Sequence, residues 1–141
     1  DYYRWRVELT QDEALQLIEK RTEQKFGAIL DLQPVERGAS GRLIKLRVVG
    51  TTNRMIVGKE LEIRRLLSET HLYSSAFVVE KQDIDPTTGI PGKFILLGAG
   101  WGHGVGMCQI GAAVMASQGF DYKQILSHYY QNSYISSLTK E

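Results

Sequence analysis

Between Gly98 and Gly111 the chain reads Gly-Ala-Gly-Trp-Gly-His-Gly-Val-Gly-Met-Cys-Gln-Ile-Gly, a run that holds six of the fourteen glycines in the sequence. Glycine at every second position opens positive φ to the backbone and lets it approach a ligand or a neighbouring strand closely. Trp101, His103, Cys108 and Gln109 stand among these glycines. Their side chains stack, carry protons or hydrogen-bond. A chain does not need that combination to turn a corner, so the run reads as a site-building loop.

At 141 residues the chain is sized for one domain and can bury a single core. Seventeen basic residues against sixteen acidic ones leave a net charge of +1, and the charges are interspersed. That balance gives no reason to expect a nucleic-acid partner. A single cysteine, Cys108, excludes an intrachain disulfide and a cysteine-rich zinc site. No apolar stretch reaches the length of about 18 residues that a membrane span needs. No signal peptide is evident, and the start at Asp1-Tyr-Tyr-Arg-Trp5 reads as that of a mature or trimmed product.

Alternation over residues 4–9 predicts a strand. Thr10-x-x-Glu13 has the spacing of a capping box, and Ala14, Leu15, Leu17 and Ile18 give the helix behind it one apolar face to about residue 21. Residues 29–35 predict a strand with Pro34 at its end or on a sheet edge. Residues 38–41 are a turn. The strand after it, 42–49, is expected to point Ile44, Leu46 and Val48 one way and Leu43, Lys45 and Arg47 the other. A short strand over 54–57 precedes a helix over 59–68 that carries Leu61, Ile63, Leu66 and Leu67. Residues 76–82 and 93–97 predict a hairpin. A helix over 110–118 ends at Gly119, a second one capped by Asp121-x-x-Gln124 runs to about Tyr130, and 134–138 closes as a strand. The expectation is one α+β domain over 1–141, mixed but mainly antiparallel, with three to four short helices.

The glycine run invites a phosphate-binding reading, which fails in detail. Gly106 and Gly111 have P-loop spacing, but Ala112-Ala113 stand where Lys-Ser/Thr should follow. A second reading makes the run a tight backbone crossover with His103 in the core. Against it, the run follows a strand and leads into a helix whose first N–H groups are open to a ligand. His103 and Cys108 suit a thiol–imidazole pair or two metal ligands, but His71 and His128 lie far away, so no metal or other cofactor is expected. Met107, Ile110 and Ala112 around Cys108 favour a buried, inert thiol. Trp101 and Tyr129 are suited to core packing or to stacking on a sugar ring. Ser74 and Ser75 after Tyr73 serve either a strand entry or hydroxyl contacts in a groove. No acidic residue lies in the glycine run, so no general acid of the glycosidase kind is identified.

Gly100-Trp-Gly-His-Gly-Val-Gly-Met-Cys-Gln-Ile-Gly-Ala-Ala, with Met115-Ala-x-Gln-Gly119 and Ile125-Leu-x-His-Tyr-Tyr130, resembles the C-terminal signature of the SpoIID family, named for stage II sporulation protein D, which also contains the LytB amidase enhancers. Arg37-x-x-Ser40-Gly-Arg42 and Leu66-Leu67 leading into Leu72-Tyr-Ser-Ser-Ala-Phe77 extend the resemblance over nearly the whole chain. It departs from the signature at Cys108, where Ser is expected, and at Ile110, where Tyr is expected. The resemblance implies a SpoIID-type fold, an extracytoplasmic location in periplasm or cell wall, and peptidoglycan as substrate. It implies lytic transglycosylase chemistry on glycan strands stripped of their stem peptides, with one carboxylic acid serving as acid and then as base. The family's acid is a Glu in a Gly-Glu-Met-Pro-like segment followed by an Ala-rich helix; neither is found in residues 1–141, so the chain reads as the C-terminal portion of a family member. The catalytic residue is thus unassigned, with His103 in support. Trp101, Gly102, Gly104, Gly106, Gln109 and Tyr129, with Ser74 and Ser75, are the expected substrate contacts. The alternative is a non-catalytic enhancer that docks on a cell-wall amidase, and a third reading is a Cys108-dependent hydrolase.

Overall fold

Thr10 and Glu13 start the first helix, α1 (Gln11–Thr22), in the way their spacing predicts. The Glu13 carboxylate accepts from the Thr10 N–H and hydroxyl, each at 2.8 Å, and the Glu13 N–H donates back to the hydroxyl at 3.2 Å. The structure, a computed structural model, describes residues 3–136. Two units divide it, the first ending at His103 and the second beginning at Gly104.

In the first unit, β1 (Arg4–Thr10) precedes α1, and β2 (Ile29–Arg37), β3 (Leu43–Gly50), β4 (Arg54–Gly58), α2 (Glu60–Leu66), β5 (Phe77–Ile84) and β6 (Pro91–Ala99) follow it. The strands form two three-stranded sheets, in the orders β1-β6-β5 and β2-β3-β4, and every pairing is antiparallel. This is an α+β fold. The two sheets and the two helices share one core, with Ile18, Phe26, Leu43, Leu46, Val48, Ile63, Phe77, Phe94 and Leu96 buried in it. Removing such a side chain from water contributes roughly 1.5–3 kcal/mol each. Gln11, the first residue of α1, bridges the two sheets: its side-chain amide donates to the carbonyls of Ile29 and Pro91 and accepts from the Ile29 N–H, all at 2.8 Å. Pro34 lies on β2, an edge strand, as expected.

The expected facing of β3 is corrected at its start. Leu43 is buried and Ile44 is 39% exposed. Glu36 pairs with Lys45 and Arg37 with Leu43, so Ile44 is the extra residue of a bulge. A bulge inserts one unpaired residue and inverts the alternation beyond it. Leu61 is likewise 40% exposed, whereas Ile63, Leu66 and Leu67 are buried as expected, and Arg64 joins them on the buried face.

The second unit holds α3 (Gln109–Ser117) and α4 (Tyr122–Tyr129). Asp121 and Gln124 form the expected capping box, with bonds of 2.8 and 2.9 Å. Gly119 follows α3 at φ +92°, a conformation that suits glycine after a helix end. Ile125 is the one apolar side chain of this unit that is buried among the described residues. The expected closing strand is not formed over 134–136, and the rest of it lies outside the described residues.

The α1 cap makes a pH-dependent prediction. The Thr10 backbone N–H, and next the Thr10 hydroxyl, hold the Glu13 carboxyl below its ordinary value of 4.5. A carboxylate favoured in this way stabilises the fold above its unfolded value, and the contribution is lost as pH falls through the lower folded value. Thr10→Ala removes the hydroxyl and leaves the N–H. In a side-chain NMR titration the Glu13 midpoint therefore rises part of the way towards 4.5.

Candidate functional site

The glycine run leaves the first unit through β6, where Gly98 pairs with Trp5 on one side and Phe77 on the other. The Trp5 indole lies across Gly98, so that a Cβ there would fall inside the ring. Its N–H donates to the Gly100 carbonyl at 3.2 Å. From this buried ring an aromatic series runs outward. Tyr73 lies 6.0 Å from Trp5, and Trp101 meets Tyr73 edge-on at 5.7 Å and 70°. Trp101 is 57% exposed, and His103 is exposed. The core reading of the run does not hold for either side chain.

Hydrogen bonds brace this tip. The Gly102 N–H donates to the Tyr73 carbonyl at 2.7 Å, and Arg42 Nε donates to the Gly102 carbonyl at 3.0 Å. Gly100 and Gly102 both take positive φ, +74° and +82°, which an ordinary side chain would strain. Arg42 was not among the residues singled out from sequence. Its only signal was its place in Arg37-x-x-Ser40-Gly-Arg42.

Ser74 and Ser75 are fully buried. Their hydroxyls donate to the carbonyls of Ala99 at 2.7 Å and Leu43 at 3.1 Å, so they fix the entry to β5 and offer nothing to a groove.

In the second unit Gly104 and Gly106 continue the positive-φ alternation, at +68° and +80°. The Met107 N–H donates to the Tyr130 hydroxyl at 3.2 Å, and the Tyr129 hydroxyl occupies the space that a Cβ on Gly111 would need. Tyr129 therefore packs on the start of α3. Gln109, the first residue of that helix, is exposed. Cys108 is exposed, and its sulfur caps α3 by accepting from the Gly111 N–H at 3.4 Å. The expected buried thiol is corrected: its apolar neighbours Met107 and Ile110 are themselves exposed, at 39% and 79%. Of the helix-start N–H groups expected to be open, that of Gly111 is taken by this cap.

Among the described residues, no three His, Cys, Asp or Glu side chains converge in a way that could hold a metal ion. No described helix is long and apolar enough to cross a membrane.

Fold and tip together define an α+β domain with a glycine-rich exit strand that carries an exposed aromatic. The chain belongs to a domain family of unknown function, DUF8618, whose model matches residues 1–106. It is similar to the amidase enhancer of Bacillus subtilis (strain 168), at 34% identity over 76 residues, which cover 54% of this chain and 10% of that protein. Stage II sporulation protein D of Bacillus amyloliquefaciens is 37% identical over 82 residues, 58% of this chain and 22% of that protein. An uncharacterized protein of Brachyspira hyodysenteriae is 45% identical over 69 residues, 49% of this chain and 17% of that protein. The matched stretches thus span less than a quarter of each of these curated relatives.

Two measurements check the site geometry. Gly98→Ala forces the pinned Trp5 ring to move and lowers stability by about 1–3 kcal/mol in urea unfolding, as overpacking of a core does. Without denaturant, Cys108 of the native protein attacks an aromatic disulfide reagent, forms a mixed disulfide and liberates one equivalent of the aromatic thiolate, because Cys108 is exposed.

Proposed function

We propose that this chain is the C-terminal portion of a SpoIID-like domain, that it works in cell-wall remodelling outside the cytoplasmic membrane, and that it binds peptidoglycan glycan strands. The observation that carries this reading is Trp101, a half-exposed indole braced by Tyr73 and by the Gly102 bonds. Sugar rings present faces of C–H groups that sit well on a flat aromatic held in place. The similarity to an amidase enhancer and to stage II sporulation protein D supports the cell wall as the setting.

In this reading Trp101 stacks on a sugar ring, and Gly102, Gly104 and Gly106 let backbone approach the strand. Gln109 contacts sugar hydroxyls or acetamido groups. Tyr129, half-buried beside the start of α3, adds a further aromatic contact to the strand, and Ser74 and Ser75 are scaffold. In the complete protein the bound strand, freed of its stem peptides, is cut by lytic transglycosylase chemistry. A carboxylic acid from outside this chain protonates the glycosidic oxygen and then takes the proton of the muramic 6-hydroxyl, which closes on the anomeric carbon. His103 orients that acid. The second reading, an enhancer that docks on a cell-wall amidase and cuts nothing itself, is favoured by the name of the Bacillus subtilis relative.

Trp101→Ala weakens binding of amidase-treated glycan strands about tenfold in a calorimetric titration, the loss expected for one stacked aromatic. Unchanged affinity overturns the glycan reading. Digests of purified peptidoglycan by the full-length protein separate the two activities: anhydro-muramic ends mean cleavage, and their absence with faster amidase turnover means enhancement.

A further inference from the structure

The outer face of the β1-β6-β5 sheet carries an open depression of about 330 Å³. Val78, Leu97 and Ala99 are among its lining residues, with Arg4 and Arg37 beside them. Strand alternation explains its composition. Trp5, Gly98 and Phe77 form a cross-strand row towards the core, so their neighbours Arg4, Ala99 and Val78 face the other way. Val78 is 52% exposed.

Both guanidinium groups are held in place by groups other than carboxylates. Arg37 donates to the carbonyls of Gly41 and Phe77, each at 2.8 Å. Arg4 donates to the Tyr3 carbonyl at 3.1 Å, and its guanidinium carbon stands 4.1 Å from the centre of the Tyr3 ring. Among the described residues no Asp or Glu pairs with either arginine. Each guanidinium has five N–H donors, so both retain donors for a ligand. Two cations with no carboxylate partner among the described residues, beside an apolar floor, favour a small anion that also carries a methyl group. Arginine matches a carboxylate well through paired N–H···O bonds.

On a glycan strand one group has that chemistry, the lactyl ether of a muramic residue. Its carboxyl is a neutral amide while a stem peptide is attached and becomes a carboxylate once an amidase has removed the peptide. Resting on the glycan reading above, we infer that the Arg4–Arg37 depression is a subsite for the free lactyl carboxylate, with the lactyl methyl on Val78, Leu97 and Ala99. Ala99 stands two residues before Trp101 on one continuous segment, so ring stacking and carboxylate recognition come from the same unit.

The test titrates the full chain with three probes: amidase-treated strands, the same strands with lactyl carboxyls converted to methylamides, and untreated strands with stem peptides. The wild-type chain binds the free acid about tenfold more tightly than the methylamide. The double variant Arg4→Gln, Arg37→Gln loses that preference and keeps its methylamide affinity. Because Arg37 also ties two carbonyls, circular dichroism confirms the fold; if the double variant does not fold, Arg4→Gln alone, which shrinks the same preference, decides. Equal wild-type affinity for acid and methylamide overturns the subsite and leaves the glycan reading standing. An Arg-dependent affinity for untreated strands equal to that for treated ones also overturns it, because stem-peptide carboxylates are then the ligand. Binding to none of the three overturns both.

Discussion

The Trp5 indole packed on Gly98 is the contact on which the exit of β6 depends. It fills the place that any side chain at Gly98 would occupy, and its N–H reaches past to the Gly100 carbonyl. One ring therefore fixes both the last turn of the strand and the direction in which the chain leaves the core. Tyr73 leans on that ring, and Trp101 leans on Tyr73. Edge-on and tilted aromatic pairs of this kind are worth roughly 0.5–1.5 kcal/mol each beyond the area they bury. The exposed indole thus stands on a series of contacts that begins in the core.

A second brace comes from α2. Arg64 is almost fully buried, donates to the Leu72 carbonyl at 2.6 Å, and pairs with Glu60 one turn earlier at 3.2 Å. A buried guanidinium without such partners would be strongly destabilising. With them it pins the segment that presents Tyr73, and Ser74 and Ser75 then stitch the same segment to β6 and β3. The polar groups here are structural, and what the segment offers to solvent is aromatic.

Much of this was legible in the sequence, for reasons that are local. The capping boxes at Thr10 and Asp121 work through side chains three residues apart, and the hairpin of β5 and β6 announces itself by alternation. What was not legible depends on tertiary pairing. The bulge at Ile44 is a mismatch between β2 and β3 that neither strand shows alone. The burial of Ser74 and Ser75 depends on carbonyls 25 and 32 residues away in the chain. The exposure of Cys108 runs against its apolar neighbours because α3, free of charged side chains, buries none of its residues. In the candidate site, the motif pointed to Trp101, His103 and Gln109, while Arg4 lacked any local pattern, and Arg37 and Arg42 stood in a short motif whose partners, the carbonyls of Phe77 and Gly102, lie 40 and 60 residues away in the chain.

Glycine loses more conformational freedom on ordering than any other residue, so a ribbon that alternates glycine with larger side chains has little stiffness of its own. From Gly100 to Gly102 its shape is imposed by Trp5, Tyr73 and Arg42, and at Met107 by Tyr130. The stiffness of the exposed tip is therefore set by residues that lie outside the glycine run. Such an arrangement lets natural variation adjust how firmly the tip is held while its own letters, and the packing of the two sheets beneath it, stay as they are.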